Sequence, residues 1–277
     1  MRITLLIGLA LAALVRVAHA TEEVRLWHSL DSAMSAQLGR LAAEYNASQR
    51  AFRVLLRPLP PEGSTGLVRL GLPINTARPV LYYNRDAFRR AQLGNVPKTW
   101  YEMAGALGRL ADSGEACAYT TSWPAWVMME NTGGAFSRQL MVRWTSMLAT
   151  WEKSGFFSYS GRANEAEARF AAGECAVLTS SSASQTELAK KAHFEVGVAP
   201  LPYYDDAGVM ARGLPPAGAA VWVQRQSVGV TNFFAFLAGR AAQARRVRDA
   251  MEAELEAVWR GDKTALDALN AVSATQK

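Results

Sequence analysis

Cysteine and histidine are scarce in this chain of 277 residues, which contains two cysteines and three histidines. Cys117 and Cys175 show neither the CxxC spacing of a redox motif nor a histidine at metal-site spacing. His28 and His193 lie too far apart in sequence for the short spacing of a zinc pair. The sequence therefore predicts no metal site, no cofactor and two structural histidines.

Long apolar runs are absent after the first twenty residues. Residues 1–20 combine the basic Arg2, an apolar stretch over 3–15, and the small residues Ala18 and Ala20 at their end. We expect a cleavable secretory signal, because this stretch is too short to span a bilayer and no second apolar segment follows. No cysteine stands at the expected cut, so an exported protein without a lipid anchor is predicted.

Neither sign of charge is in large excess. Removing Arg2 and Arg16 with the signal leaves 28 basic and 24 acidic side chains, an excess of four positive charges. This balance lacks the strongly basic character of a nucleic-acid-binding protein. Arg245, Arg246 and Arg248 form the densest basic cluster, and we interpret them as a solvated helix face, with a partner patch as the alternative.

The sequence motifs of serine hydrolases are missing too. No GxSxG elbow is present, and no histidine and acid stand at a spacing that suggests a catalytic triad. We therefore expect a protein that is not an enzyme. A hydrolase of phosphodiesters or other esters is the competing hypothesis that this absence disfavours.

The two cysteines have a separate structural interpretation. An exported chain folds in an oxidising compartment, so a single disulfide between Cys117 and Cys175 is expected. Two buried free thiols are the alternative, because the sequence does not give the distance between the two Cα atoms.

Strand and helix patterns alternate along the chain. Strand patterns occur at "EVRLWHSL", Phe52 to Leu56, "RPVLYYN", "CAYTTSW", "ECAVLTS", "FEVGVAPLP" and "AAVWVQ", and helical patterns at "DSAMSAQLGRLAAEYNAS", "PKTWYEMAGALGRLADSGEA", "RQLMVRWTSMLATWEKSG" and "SQTELAKKA". Two further helices parted by Gly261 are expected at the end. Alternation of this kind predicts layered α/β architecture.

Three helix starts show capping signals. Thr99 is followed three residues later by Glu102, Ser184 by Glu187, and Thr264 by Asp267. A hydroxyl at the first of these positions accepts a backbone hydrogen bond, and an acid three residues on completes the pair. We therefore expect all three hydroxyls to cap helices.

The stretch "SWPAWVMMEN" brings two tryptophans close to a proline. Trp123 precedes Pro124 and is expected to be extended, while Pro124 suits the first helical position and places Trp126 in the first turn. A helix N-terminus offers unpaired N–H groups, and indoles beside it can cover the carbon face of a polyol. Two core tryptophans are the alternative, which spacing alone favours.

A family resemblance rests on several motifs in order. These are "LWHSL", "TARPVLYYNRDAFRRAQL", "PKTWYEM", "WPAWVMMEN", "FSYSGR", "FAAGECAVLTSSSAS", "VGVAPLPYY" and "ELEAVWRGDKTALDAL". In this wording the chain resembles the glycerol-phosphate branch of extracellular solute-binding protein family 1, the periplasmic receptors of ABC importers. The resemblance covers most of residues 21–277, with interruptions.

The resemblance implies a two-lobed α/β fold of the type II periplasmic binding proteins, with parts of both lobes deleted. The first lobe is expected to comprise residues 21–114 with 215–240, and the second residues 115–214 with 241–277. Such proteins close over a solute between the lobes and present the closed form to membrane permease subunits. A monomer in the periplasm, with no nucleic-acid partner, is expected.

The implied ligand contacts that this sequence retains are Trp123, Trp126, Ser181 and Gly218. A contacting serine of the family is replaced by Ala77. Arg78, which follows it, is the possible substitute phosphate contact, and its alternative is a side chain pointing into water. Segments carrying further contacts are expected to be missing between Phe52 and Leu72 and between Gly239 and Glu252, including the arginine that grips the phosphate.

The resemblance therefore implies a periplasmic solute-binding component of an ABC importer for sn-glycerol 3-phosphate or glycerophosphodiesters. The loss of several contacts leaves two alternatives open. One is a degenerate exported family member that binds no ligand, and the other is a receptor for a different small polyol or sugar.

Overall fold

The structure is a computed structural model that describes residues 21–30, 32–60, 63–72, 77–131, 138–207 and 221–274. The expected signal over 1–20 and the expected ligand residue Gly218 lie outside this part of the chain. Among the residues described, no helix combines the length and the apolarity that a membrane crossing requires.

The described elements alternate between strands and helices as the sequence predicted. The strands are β1 (Glu22–His28), β2 (Phe52–Pro58), β3 (Val68–Leu70), β4 (Pro79–Asn84), β5 (Cys117–Thr121), β6 (Cys175–Ser181), β7 (Val196–Pro200) and β8 (Val221–Val223). The helices are α1 (Ser32–Ser48), α2 (Arg85–Arg90), α3 (Trp100–Asp112), α4 (Pro124–Asn131), α5 (Arg138–Lys153), α6 (Glu165–Ala171), α7 (Gln185–Lys191), α8 (Val228–Trp259) and α9 (Ala265–Ala274).

The first sheet has the strand order β2-β1-β8-β3. β1 and β2 run parallel in register, and β8 pairs antiparallel with both β1 and β3. Val24 and Leu26 of β1 pack with Leu38 of α1 and with Phe233 and Leu237 of α8 in one hydrophobic cluster. Alternate strand residues therefore face these two helices.

The second sheet has the order β5-β6-β4-β7. β5 and β6 are parallel, and β4 is antiparallel to both β6 and β7. Its larger cluster contains the buried rings of Trp100, Tyr119 and Trp144, while Tyr82 and Phe170 pack in a separate cluster. Because β4, β5 and β6 are buried almost throughout, this sheet is covered on both faces.

The expected first lobe, which ended at residue 114, does not follow the two sheets. β4 pairs with β6 and β7, and α3 packs its buried face into the cluster of the second sheet. Residues 79–112 therefore belong to the second sheet and its core. Strand pairing decides this assignment, and pairing between distant segments is not encoded in local sequence patterns.

Helix α8 is shared by the two hydrophobic clusters. Phe233 and Leu237, in its first half, pack into the cluster of the first sheet. Met251, Leu255 and Trp259, in its second half, pack into the larger cluster of the second sheet. One uninterrupted helix therefore connects the two cores.

The two outer capping predictions are confirmed, and the middle one is wrong. Glu102 N–H donates to Thr99 Oγ1 over 3.1 Å, and Asp267 N–H donates to Thr264 Oγ1 over 3.2 Å. Ser184 makes no side-chain cap bond. Its hydroxyl points instead to Glu167 and donates to Oε1 over 2.6 Å, a charge-assisted bond that orients the side chain away from the start of α7.

The structure joins Cys117 and Cys175 in a disulfide. These residues begin β5 and β6 and stand directly opposite each other in the parallel pair, with their Cα atoms 4.4 Å apart. The bond therefore links the edge strand β5 to its neighbour β6 in the second sheet and closes a loop of 58 residues.

Replacing both cysteines by alanine should destabilise the protein by about 3 kcal/mol, because the cross-link restricts the unfolded chain across a long loop. Urea unfolding of the double variant and of the oxidised protein measures this difference. Alkylation before and after reduction provides the control, and only the reduced protein should gain mass. Equal urea midpoints would contradict the stabilising role.

Candidate functional site

Three of the residues that the resemblance implied lie at one end of the strands of the second sheet, here called the sheet edge. β5 ends just before Ser122 and Trp123, and β6 ends at Ser181. Pro79 of β4 is paired with Ser181, so Arg78, which precedes it, reaches the same edge. Small molecules bind open α/β sheets at the carboxyl ends of their parallel strands, and this edge is such an end.

Trp123 does not have the extended conformation that was expected. Its φ of 51° lies in the left-handed region, which costs a bulky residue on the order of 1–3 kcal/mol. Both of its backbone groups are engaged, since its N–H donates to Ala163 O and its carbonyl accepts from Val127 N–H, each over 2.9 Å. These bonds override the local preference before proline, and α4 begins at Pro124 as predicted.

The indole of Trp123 is half-buried and has an arginine beside it. The guanidinium carbon of Arg248 lies 5.6 Å from the ring centroid, within cation–π range. Arg248 belongs to α8, in the region between Gly239 and Glu252 where the family resemblance implies that the arginine gripping the phosphate is missing. The structure therefore supplies a cation that sequence reasoning missed.

A local signal for Arg248 was present in the sequence. Arg248 and Glu252 are four residues apart, a spacing that puts both on one face of a helix. We assigned Arg248 instead to a solvated cluster with Arg245 and Arg246. The structure separates them, because Arg245 and Arg246 are exposed whereas the side chain of Arg248 is only 24% exposed.

Trp126 differs from Trp123 in its surroundings. It is half-buried and packs against the larger hydrophobic cluster of the second sheet. This contact favours the core interpretation for Trp126. The two tryptophans therefore stand in different settings although only three positions separate them.

Ser181 ends β6 within a polar loop. Its hydroxyl accepts from Ala183 N–H over 3.2 Å, and its carbonyl accepts from the hydroxyl of Tyr82 over 2.7 Å. The flanking Ser180 and Ser184 both donate to Glu167 Oε1 over 2.6 Å. The loop is thus fixed at both sides, and the Ser181 hydroxyl still has a proton to donate.

Arg78 is buried beside this serine loop. Only 7% of the residue is exposed, which contradicts the alternative that its side chain points into water. Its N–H donates to Ser182 Oγ over 3.2 Å, and its carbonyl accepts from Ser182 N–H over 2.8 Å. Arg78 therefore adds a positive charge within the protein at this edge.

The N-terminus of α4 is not free, contrary to expectation. Ala125 N–H donates to Glu252 Oε1 over 3.0 Å, and Glu252 is 4% exposed. Its second oxygen, Oε2, is buried and has no hydrogen-bond partner among the described residues. Burial raises the pKa of Glu252 to about 8, although the Ala125 N–H and the charges of Arg248 and Arg162 oppose the shift.

A second acid one turn along α8 behaves in the opposite way. Glu256 accepts from Arg162 through both oxygens and from the Tyr159 hydroxyl over 2.6 Å. The Arg162 hydrogen bonds lower the pKa of Glu256 to about 2. Glu256 is therefore charged and paired. Arg248 has in the described chain only a long 3.9 Å ion pair, with its exposed neighbour Asp249.

Glu252→Gln should remove the contribution of this carboxyl to the pH dependence of the free energy of unfolding. The unfolded carboxyl has a pKa near 4.5 and the folded one near 8, so the folded protein retains a proton that the unfolded chain loses between these values. Stability should therefore fall as pH rises through this window, by at most about 1.4 kcal/mol per pH unit, and level off above it.

Urea unfolding at several pH values between 5 and 9 checks this expectation against the exposed control Glu187→Gln. The difference in stability between Glu252→Gln and the native chain should grow up to about pH 8, and Glu187→Gln should follow the native chain. Parallel curves for all three proteins would show that Glu252 titrates normally.

Comparison with known proteins shows the family of this chain. The sequence model of the bacterial extracellular solute-binding proteins matches residues 34–244. The sn-glycerol-3-phosphate-binding periplasmic protein UgpB of Yersinia enterocolitica is 33% identical over 195 residues, which is 61% of this chain and 44% of that protein. UgpB of Rhizobium meliloti is 35% identical over 204 residues, 64% of this chain and 47% of that protein.

Solved structures show the same fold at low sequence identity. The GacH receptor of Streptomyces glaucescens aligns with a TM-score of 0.54 and 13% identity, over 93% of this chain and 98% of that one. UgpB of Mycobacterium tuberculosis, solved with glycerophosphocholine, aligns with a TM-score of 0.51 and 15% identity, over 92% and 98%.

The predicted two-lobed α/β fold is confirmed by these structures. The chain nevertheless spans about half the length of the curated relatives it matches. With a family match over 34–244 and a shared fold, the chain belongs to the bacterial extracellular solute-binding proteins.

Proposed function

We propose that this chain is the periplasmic solute-binding component of an ABC importer and that its solute is a glycerophosphodiester or sn-glycerol 3-phosphate. The family supports the receptor role, and relatives named for sn-glycerol 3-phosphate support the solute class. In this proposal a monomer delivers the solute to permease subunits, without catalysis. The observation that carries it is the Arg248 guanidinium beside the Trp123 indole at the sheet edge.

Arg248 and Trp123 would bind different parts of the solute. A guanidinium can bind two phosphate oxygens at once, and an indole can cover the carbon face of glycerol. The N–H of Ala125 is already bonded to Glu252, so the phosphate must be held by Arg248 rather than by that group. Ser181 lies at the same edge and offers a hydroxyl donor for a solute oxygen.

The charge of the site favours a diester over a monoester. A phosphodiester carries one negative charge, whereas a phosphate monoester carries nearly two at neutral pH. Arg248 contributes one half-buried guanidinium, while Arg162 is already paired with Glu256. Arg248 is the guanidinium beside the Trp123 ring, and it matches the single negative charge of a diester, so we propose glycerophosphocholine as the preferred solute; a monoester would in addition need the charge of Arg78, which is buried at the same end of the sheet.

Arg248→Met should weaken the binding of glycerophosphocholine by about 10- to 100-fold, because the charge-assisted hydrogen bonds of the guanidinium are lost while an unbranched apolar stem is kept. Titration calorimetry measures the change. Arg246→Met is the matched control, since Arg246 is an exposed arginine on the same helix and should leave the affinity unchanged.

The same titrations with sn-glycerol 3-phosphate and with maltose separate the alternatives. Heat with maltose alone would support a sugar receptor. A protein that unfolds cooperatively but gives no heat with any solute would support the degenerate family member. Equal losses in Arg248→Met and Arg246→Met would contradict the assigned role of Arg248.

Trp123→Gly should separate ligand binding from stability. Glycine adopts a φ of 51° without strain, so relief of strain offsets part of the lost packing, and stability should change by less than about 1–2 kcal/mol. Binding of glycerophosphocholine should fall more than about tenfold, because the ring is gone. Urea unfolding and calorimetry on the same sample provide both readouts. Large destabilisation with unchanged affinity would mark Trp123 as a packing residue.

A further inference from the structure

The first sheet has one face that no described helix covers. In the described part of the chain, α1 and α8 are the helices that pack against this sheet, and both contact the side that carries Val24, Leu26 and Val54. Parallel strands such as β1 and β2 usually have both faces covered. The opposite side, here called the open face, is therefore available to a partner.

The open face carries a row of arginines and tryptophans. Strand register puts Arg57 opposite Trp27, Trp27 opposite Trp222, and Trp222 opposite Arg69. Paired residues of neighbouring strands project on the same side, so these four residues form one row across all four strands. At about 4.8 Å between strands, the two arginines stand on the order of 14 Å apart at the Cα level.

The side chains of this row are not used by the core. Trp27 and Trp222 are half-buried and belong to none of the packed hydrophobic clusters of the described residues. Arg57 and Arg69 are exposed and form no ion pair there, nor does Arg53 beside them. Within the described ranges, Arg25 is the arginine of this face that forms an ion pair, with Glu23 over 2.8 Å.

Charge restricts what can cover the open face. On the open face of the described strands, Glu23 is the one acid beside Arg25, Arg53, Arg57 and Arg69, because Glu22 alternates to the side of Val24. A second copy of the chain would bring arginines against arginines and is disfavoured. The partner must therefore carry negative charge over an area at least as wide as the row.

The shape of the face favours a bilayer over a shaped protein partner. Tryptophan is the residue enriched at the level of lipid headgroups, and arginine is attracted to anionic lipid phosphates. The row crosses a sheet surface, and a bilayer is an extended anionic surface that needs no matching relief. A groove of about 600 Å³ beside Trp27, lined by Arg25 and Arg57, has room for a headgroup.

We propose that the open face docks the protein on an anionic phospholipid surface, with Arg57 and Arg69 at lipid phosphates and Trp27 and Trp222 at headgroup level. This interaction is separate from the site at Trp123 and does not depend on the proposed solute. It assigns a membrane-facing side to a chain in which the described helices do not cross a membrane.

Co-sedimentation with phosphatidylcholine vesicles, with and without phosphatidylglycerol, tests the proposal. The native chain should bind the phosphatidylglycerol vesicles and release them at high salt. The double variant Arg57→Gln/Arg69→Gln should bind about 30-fold more weakly, because each arginine near an anionic surface contributes about fivefold. Both arginines are exposed, so the variant should fold, which urea unfolding verifies.

The matched control removes two arginines elsewhere. Arg245→Gln/Arg246→Gln, on the exposed part of α8, has the same net charge as the test variant and should lose less than about threefold. An equal loss in both variants would indicate attraction to net charge and overturn the proposal. Absence of binding by the folded native chain would do the same.

Two further measurements test whether the open face binds a small solute instead and whether the vesicles contact another surface. Soluble sn-glycerol 3-phosphate at millimolar concentration should not release the protein from vesicles, and release would show a small-solute site in place of a lipid surface. Phosphatidylglycerol vesicles should shift the tryptophan emission of the native chain, and Trp27→Phe/Trp222→Phe should reduce that shift. An undiminished shift would place the contact elsewhere and overturn the assignment of the open face.

Discussion

The packing of α8 into both hydrophobic clusters is the constraint on which the rest of the structure depends. At about 1.5 Å per residue, its 32 residues extend over about 48 Å, enough to leave one core and enter the other. Its middle turns are largely exposed, so the helix is held at its two ends by Phe233 and Leu237 and by Leu255 and Trp259. The anchoring of the second half aligns Arg248 and Glu252 with the start of α4. The candidate site exists because this helix is continuous.

The bond between Glu252 and the first turn of α4 changes how the site can treat an anion. A helix N-terminus normally attracts negative charge, but here the chain places its own carboxyl against the Ala125 N–H. Glu252 Oε2 is buried without a hydrogen-bond partner in the described part of the chain, and burial raises the pKa of this carboxyl to about 8, which favours its protonated form near neutral pH. A neutral Glu252 does not repel a phosphate held by Arg248. The N-terminus of α4, Glu252 and Arg248 therefore determine together how the site binds an anion.

Local sequence patterns predicted most strands and helices. Features that depend on contacts between distant residues could not be predicted in this way. The alternating strand at "EVRLWHSL", the start of α4 at Pro124 and the cap at Thr99 depend on neighbouring residues and are visible in sequence. The conformation of Trp123 depends on a bond to Ala163, forty residues away, so the rule for residues before proline failed. The Ser184 hydroxyl bonds Glu167 rather than its own helix for the same reason. Arg248 was missed because its neighbour Trp123 is distant in sequence.

The second sheet is buried on both faces and the first sheet on one, and the sequences of their strands differ accordingly. β4, β5 and β6 are apolar or small almost without interruption, as expected for strands covered on both faces. β1 alternates instead, with buried Val24 and Leu26 on one side and Arg25 and Trp27 on the other. If a missing segment had simply uncovered the face of a fully buried sheet, apolar residues would stand at both sets of positions. Arg25, Arg53, Arg57 and Arg69 stand at the uncovered set beside Leu55 and the two tryptophans, and charged side chains at these positions fit a face that is not packed against another layer.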